Sequence, residues 1–185
     1  MKSICLYFQV HQPFRLRKYN CFDIGNEHYY YDDFSNRKIM RKIADMYYLP
    51  ANKIILDLIN LYGKKFGLSY SISGIVLEQF EMYAPEVLES FQELAETQRV
   101  EFLAETYSHS LVSLKNKEEF LEQVKQHSNK IEQLFGHKPE VFRNTELIYS
   151  DEIGKIVAEM GYKAMLIGGA KHILGWKNPN YLSDL

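Results

Sequence analysis

The sequence predicts an α/β protein whose parallel strands curl into a (β/α) barrel arrangement. Three observations predict it. Short apolar runs alternate with longer stretches of helical period along the whole chain. The connections between runs are a couple of dozen residues or more, which suits right-handed βαβ crossovers. No Gly-x-Gly-x-x-Gly follows a strand, and Gly168-Gly169 is a lone pair, so an open dinucleotide-binding sheet is less favoured.

The elements follow in order. Ser3 to Val10 is the first strand. Segment 36–65 is helical, with Ile39, Ile43, Met46, Ile54, Ile55, Leu58, Ile59 and Tyr62 on an inward stripe. Pro50 divides it into two helices and suits the first turn of the second. Leu68 to Ser73 is the second strand, and 84–96 a helix with Val87, Leu88, Phe91 and Leu94 inside. Arg99 to Ala104 is the third strand. Asn116 to Phe135 is an amphipathic helix through Phe120, Val124, Ile131 and Leu134, stopped by Gly136. Glu140 to Arg143 is the fourth strand, Ile153, Ile156, Val157 and Met160 face inward on the next helix, and Lys163 to Ile167 is the fifth strand. A closed barrel of seven or eight strands takes about 250 residues. Residues 1–185 are therefore expected to be the N-terminal portion of a single barrel domain, truncated after about five strands.

Composition narrows the function. A net charge of −2 gives no electrostatic case for nucleic acid or an anionic membrane. No run reaches the length of a membrane span, and the N-terminus lacks a signal-peptide pattern. Cys5 and Cys21 show no zinc spacing, so a cytoplasmic protein with free thiols and no metal or cofactor is expected. Fourteen Tyr, eleven Phe and one Trp, with clusters at Tyr29-Tyr30-Tyr31 and Tyr47-Tyr48, suit sugar rings, though such residues also simply pack.

Polar groups then gather at the predicted strand ends. His11-Gln12-Pro13 follows the first strand, placing an imidazole and an amide where they can bond sugar hydroxyls; a structural role or a metal also fits His11. Glu101 lies in the third strand between Val100 and Phe102, on the opposite face from both. Such an acid either pairs with an interior base or waits for ligand hydroxyls. Glu105 and His109 follow the same strand. Glu146 sits after Val141-Phe142-Arg143-Asn144-Thr145, between a strand and a helix start at Ser150-Asp151-Glu152. In parallel barrels that is where catalytic residues stand.

Taken together, His11-Gln12-Pro13, Val100-Glu101-Phe102 and Arg143-Asn144-Thr145-Glu146 resemble the first three motifs of family 57 glycoside hydrolases, over most of the chain. These are α-amylases, 4-α-glucanotransferases, glucan branching enzymes and their relatives. The resemblance implies an incomplete (β/α)7 barrel and a retaining activity on an α-glucan or maltooligosaccharide. It implies Glu146 as the nucleophile and His11, Gln12 and Glu101 as sugar-binding groups. Arg143 stands where some relatives have Trp. With Asn144 and His109 it is a candidate donor to the nucleophile. Trp176 suits a sugar platform or an ordinary surface anchor. The family's acid/base is an Asp in a fourth motif, which this sequence lacks. Asp184 matches nothing, so that Asp is expected beyond residue 185 and the fragment alone is expected to be inactive.

Two other readings stay open. Tyr107-Ser108-His109-Ser110 resembles the His motif of metal-dependent polysaccharide deacetylases, although the Asp-rich turn and second His are absent. A non-catalytic carbohydrate-binding fragment would use the same aromatic and polar rim.

Overall fold

A computed structural model describes residues 4–168. Five parallel strands follow the chain in spatial order: β1 (Tyr7–Val10), β2 (Leu68–Ile72), β3 (Val100–Phe102), β4 (Val141–Arg143) and β5 (Ala164–Leu166). The first three form one sheet and the last two another. A parallel bridge from Ala104 to Phe142 joins them, through Ala104 N–H to Val141 O (2.9 Å) and Arg143 N–H to Ala104 O (2.7 Å). The strand order never reverses. The α/β class with parallel strands is as the sequence predicts.

Alternation then separates two faces. Register pairs Tyr7 with Ser69, Gln9 with Ser71, and Ser69 with Glu101. These residues share one polar face. Val10, Tyr70, Ile72, Val100 and Phe102 point the other way into the core. There they meet α1 (Asp33–Ile43), α2 (Leu49–Tyr62), α3 (Gly74–Tyr83) and α4 (Pro85–Glu96), which contribute Met40, Ile55, Ile59, Val76, Leu77, Phe80, Val87 and Phe91. A second cluster packs Phe142 of β4 against Phe120 and Val124 of α5 (Lys117–Phe135) and Ile153, Ile156 and Val157 of α6 (Asp151–Glu159).

Helix limits follow local chemistry. Asn116 and Ser150 accept from the backbone amides of Glu119 and Ile153 as N-caps of α5 and α6. Gly136 ends α5 with φ 76°, a left-handed cap that glycine adopts without penalty.

Several expectations need correction. Pro50 does stand in the first turn of the second helix, as expected, but the chain does not break before it. A π-turn at Ala44–Tyr48 carries α1 into α2, and Leu49 N–H reaches back to Ala44 O. The wider turn accommodates the amide that proline lacks and the crowding of its ring. The buried stripe there is Met40, Ala44, Ile55 and Ile59, whereas Met46, Ile54 and Tyr62 are exposed. Helix α3 fills a stretch the sequence reading left without an element. The strands are also shorter than expected, β1 beginning at Tyr7 and β3 ending at Phe102.

Candidate active site

The C-terminal ends of β1, β2, β3 and β4 carry a connected polar group. Glu105, just past β3, is its centre and is fully buried. Its Oε1 accepts from Ser71 Oγ at 2.9 Å, and its Oε2 lies 2.9 Å from His109 Nδ1 and 3.4 Å from Arg143 NH1. Arg143, the last residue of β4, is 2% exposed and donates from NH2 to Gln9 Oε1 at 2.8 Å. A buried carboxylate and a buried guanidinium thus offset each other.

Burial by itself pushes the Glu105 carboxyl up. The hydrogen bond from His109, joined by nearby positive charge of which Arg143 is the smallest part, outweighs it, and the carboxyl sits below the ordinary range. A charge on His127 would act in the same direction, but complete burial lowers that imidazole's affinity for a proton. His127 Nε2 lies 2.8 Å from Ile72 O and its Nδ1 is 3.3 Å from the amide of Glu105. The first contact needs a donor and the second an acceptor, so neutral His127 satisfies both.

His11 follows β1, and its Nδ1 is 2.8 Å from Oγ of Ser73, which follows β2. Its ring stacks on His109, centroids 4.1 Å apart at 25°. Desolvation, and then the proximity of His109, lower the His11 pKa to about 4, so it is neutral near pH 7. Glu146 lies in a short turn, Thr145–Leu147, with φ 54°. Its side chain is 68% exposed and its Oε1 is 3.6 Å from His109 Nε2. Asn144 beneath it is buried and donates to Ile148 O (2.9 Å) and Ser113 Oγ (3.2 Å). Asn144 therefore holds the turn rather than the Glu146 carboxylate.

His11, His109, Arg143 and Glu146 are thus brought together. Gln12 stands beside them but turns away, its Oε1 accepting from Arg15 NH2 at 3.0 Å. Glu101 is not joined to the group. It is exposed near the start of β3, 3.3 Å from Ser69 Oγ. Four residues of strand rise, about 13 Å, separate it from Glu105. The expectation that Glu101 joins His11 in binding sugar is corrected in that respect: Glu101 has the expected face but stands at the opposite end of its strand. Trp176 and Asp184 lie outside the described residues.

Sequence reasoning passed over Ser71, Ser73 and His127; it marks Gln9 only as the polar tip of the first strand and places Glu105 at the same rim as His11 and Glu146 without a partner. The signal was parity, since residues 101, 103 and 105 face one way and only 105 reaches the strand ends. Among the described residues no three His, Cys, Asp or Glu side chains gather as a metal set. No described helix is long and apolar enough to cross a membrane.

Residues 5–184 match the sequence profile of glycosyl hydrolase family 57. The chain belongs to that family. A candidate alpha-amylase from Methanocaldococcus jannaschii is 43% identical over 182 residues, which are 97% of this chain and 38% of that protein. The family 57 chain thus spans well under half the length of that relative. The crystal structure of 4-alpha-glucanotransferase from Thermococcus litoralis superposes on 87% of this chain and 21% of its own, with TM-score 0.66 and 18% identity. The alpha-amylase AmyC from Thermotoga maritima covers 87% of this chain and 38% of its own, with TM-score 0.55 and 13% identity. Both solved structures bear on the fold alone.

Proposed function

We propose that the full-length polypeptide is a retaining glycoside hydrolase acting on α-glucans, with Glu146 as its nucleophile. The five strands, parallel and in chain order, are read as an arc of an incomplete (β/α)7 barrel whose polar face is the interior. The observation that carries the proposal is the position of Glu146. An exposed carboxylate stands just past a strand end, beside two imidazoles, in a family 57 chain.

In the proposed reaction a Glu146 oxygen attacks the anomeric carbon while the glycosidic C–O bond breaks. A second carboxyl, expected outside the described residues, gives its proton to the departing oxygen. Water then attacks the glycosyl ester, losing a proton to that same carboxyl, and restores Glu146. The two carboxyls need to stand roughly 5–5.5 Å apart. Neutral His11, with Nδ1 engaged by Ser73, offers Nε2 to a sugar hydroxyl.

Glu146→Gln in the full-length protein is expected to abolish glucan cleavage, and Glu146→Ala to regain turnover when azide supplies the missing nucleophile. Full activity in Glu146→Gln sinks the assignment. Loss of activity on chelation would favour the deacetylase reading instead.

A further inference from the structure

The contacts around His109 determine where its proton sits. Arg143 has only protons to give, so the Gln9 atom 2.8 Å from its NH2 is the amide oxygen. That orientation turns the Gln9 NH2 toward His109 Nε2, 3.2 Å away, and Nε2 must accept. At the other side of the ring, the ionised Glu105 oxygen 2.9 Å from Nδ1 needs a donor. Both contacts select one species, the neutral imidazole with its proton on Nδ1.

One contact pulls the other way: the Arg143 guanidinium, a donor, is 3.5 Å from Nδ1, at the limit of a hydrogen bond and weaker than the 2.9 Å contact with Glu105, which decides the site of the proton. Glu105 and Arg143 lie beneath the ring, His11 stacks on it, and Gln9 and Glu146 meet its outer nitrogen. A second proton would place a cation against the His11 face, point an N–H at the Gln9 amide protons, and draw Glu146 into an ion pair. As the contacts stand, Glu146 Oε1 at 3.6 Å is beyond a hydrogen bond and faces a lone pair.

We propose that Gln9 is a positioning residue: by donating to His109 Nε2 it excludes the proton that would tie up the Glu146 carboxylate. The role rests on Glu146 being the nucleophile. A carboxylate held in a charge-assisted bond is a poorer attacking group, so Gln9 preserves reactivity from one residue removed.

The tautomer is read directly by imidazole ¹⁵N NMR of histidine-labelled protein at neutral pH, with His109→Gln locating the signal. Neutral His109 carrying its proton on Nδ1 is expected; a proton on Nε2, or an imidazolium, overturns the proposal. Gln9→Met removes the amide donor at similar length, and Gln9→Glu keeps an acceptor for Arg143 while placing a carboxylate at Nε2. Both are expected to bring a proton to Nε2. In the full-length enzyme their kcat should fall roughly 10- to 100-fold, the worth of one charged hydrogen bond, with KM within about twofold. An unchanged His109 tautomer in both variants also overturns the proposal. The NMR signal needs no turnover, so an inactive wild-type enzyme would count against the glycosidase reading alone.

Discussion

Replacing Arg143 with methionine isolates the energetic core of the site. Arg143 is 2% exposed and Glu105 fully buried, with NH1 and Oε2 3.4 Å apart. At an effective dielectric of about 20, two unit charges at that distance attract by about 5 kcal/mol. Methionine fills much of the aliphatic volume but leaves the carboxylate with only the Ser71 hydroxyl and the His109 N–H. Those two donors recover part of the deficit, so a net loss of about 3–4 kcal/mol is expected, within the range for removing one partner of a buried ion pair.

Glu105→Gln should cost about 2–3 kcal/mol, because Arg143 keeps Gln9 but loses its counter-charge. The double variant carries neither charge, and its loss should fall short of the sum by about 2 kcal/mol or more. Urea unfolding with matched m-values measures all three. The pH dependence supplies an internal check. In the wild type the depressed Glu105 carboxyl stabilises the fold above its unfolded pKa, and that contribution fades as pH falls through the folded value. In Arg143→Met the carboxyl loses one of the influences that lower it, so the deficit should narrow as acid neutralises it. A loss below about 1 kcal/mol for Arg143→Met, or strict additivity in the double variant, would refute the reasoning.

Two further outcomes follow from the same geometry. Because the His11 pKa is lowered from 6.5 to about 4, the unfolded chain binds the extra proton first, and stability should rise between about pH 4 and 6.5. For a half-buried ring open to water the gain is about 1–2 kcal/mol, and His11→Gln should remove that slope; an identical slope would contradict it. A Cβ at Gly74 would overlap the Tyr107 ring, which Glu78 holds through a 2.6 Å hydroxyl bond. Gly74→Ala should therefore cost about 1–3 kcal/mol and lower Tm by about 2–12 °C, and Tyr107→Leu in the same chain should recover part of it; an unchanged Tm would contradict the overlap.

The legible parts of this fold were those written in short-range pattern. Strand cores, the long α5 and its Gly136 stop follow from periodicity and one left-handed cap. The π-turn was not legible, because Pro50 looks the same whether a helix breaks or widens before it. Helix α3 was obscured by Ser73-Gly74, which reads as loop; its glycine is there because Tyr107 closes over it. The site shows the same division. His11, His109 and Glu146 announce themselves by standing next to strands. Glu105 and Gln9 are placed near that rim by the same strands, but their shared partner Arg143, 134 residues from Gln9 in sequence, is not revealed by spacing.

That hidden layer bears on why the exposed acid, rather than the buried one, suits attack. Glu105 has its oxygens engaged by Ser71, His109 and Arg143, and it cannot approach a substrate without leaving a buried cation unpaired. Around Glu146 the charges are already settled: Arg143 answers Glu105, His11 and His127 are held neutral, and Gln9 keeps the nearest imidazole a lone-pair acceptor. Its backbone is fixed as well. Glu146 and Leu147 both adopt φ near 55°, a conformation that costs a non-glycine residue about 1 kcal/mol or more, and the Asn144 bond to Ile148 O holds the turn closed. A carboxylate with free lone pairs, on a turn held by the Asn144 bond, suits attack on an anomeric carbon. On the proposed reading, the buried pair exists to support it.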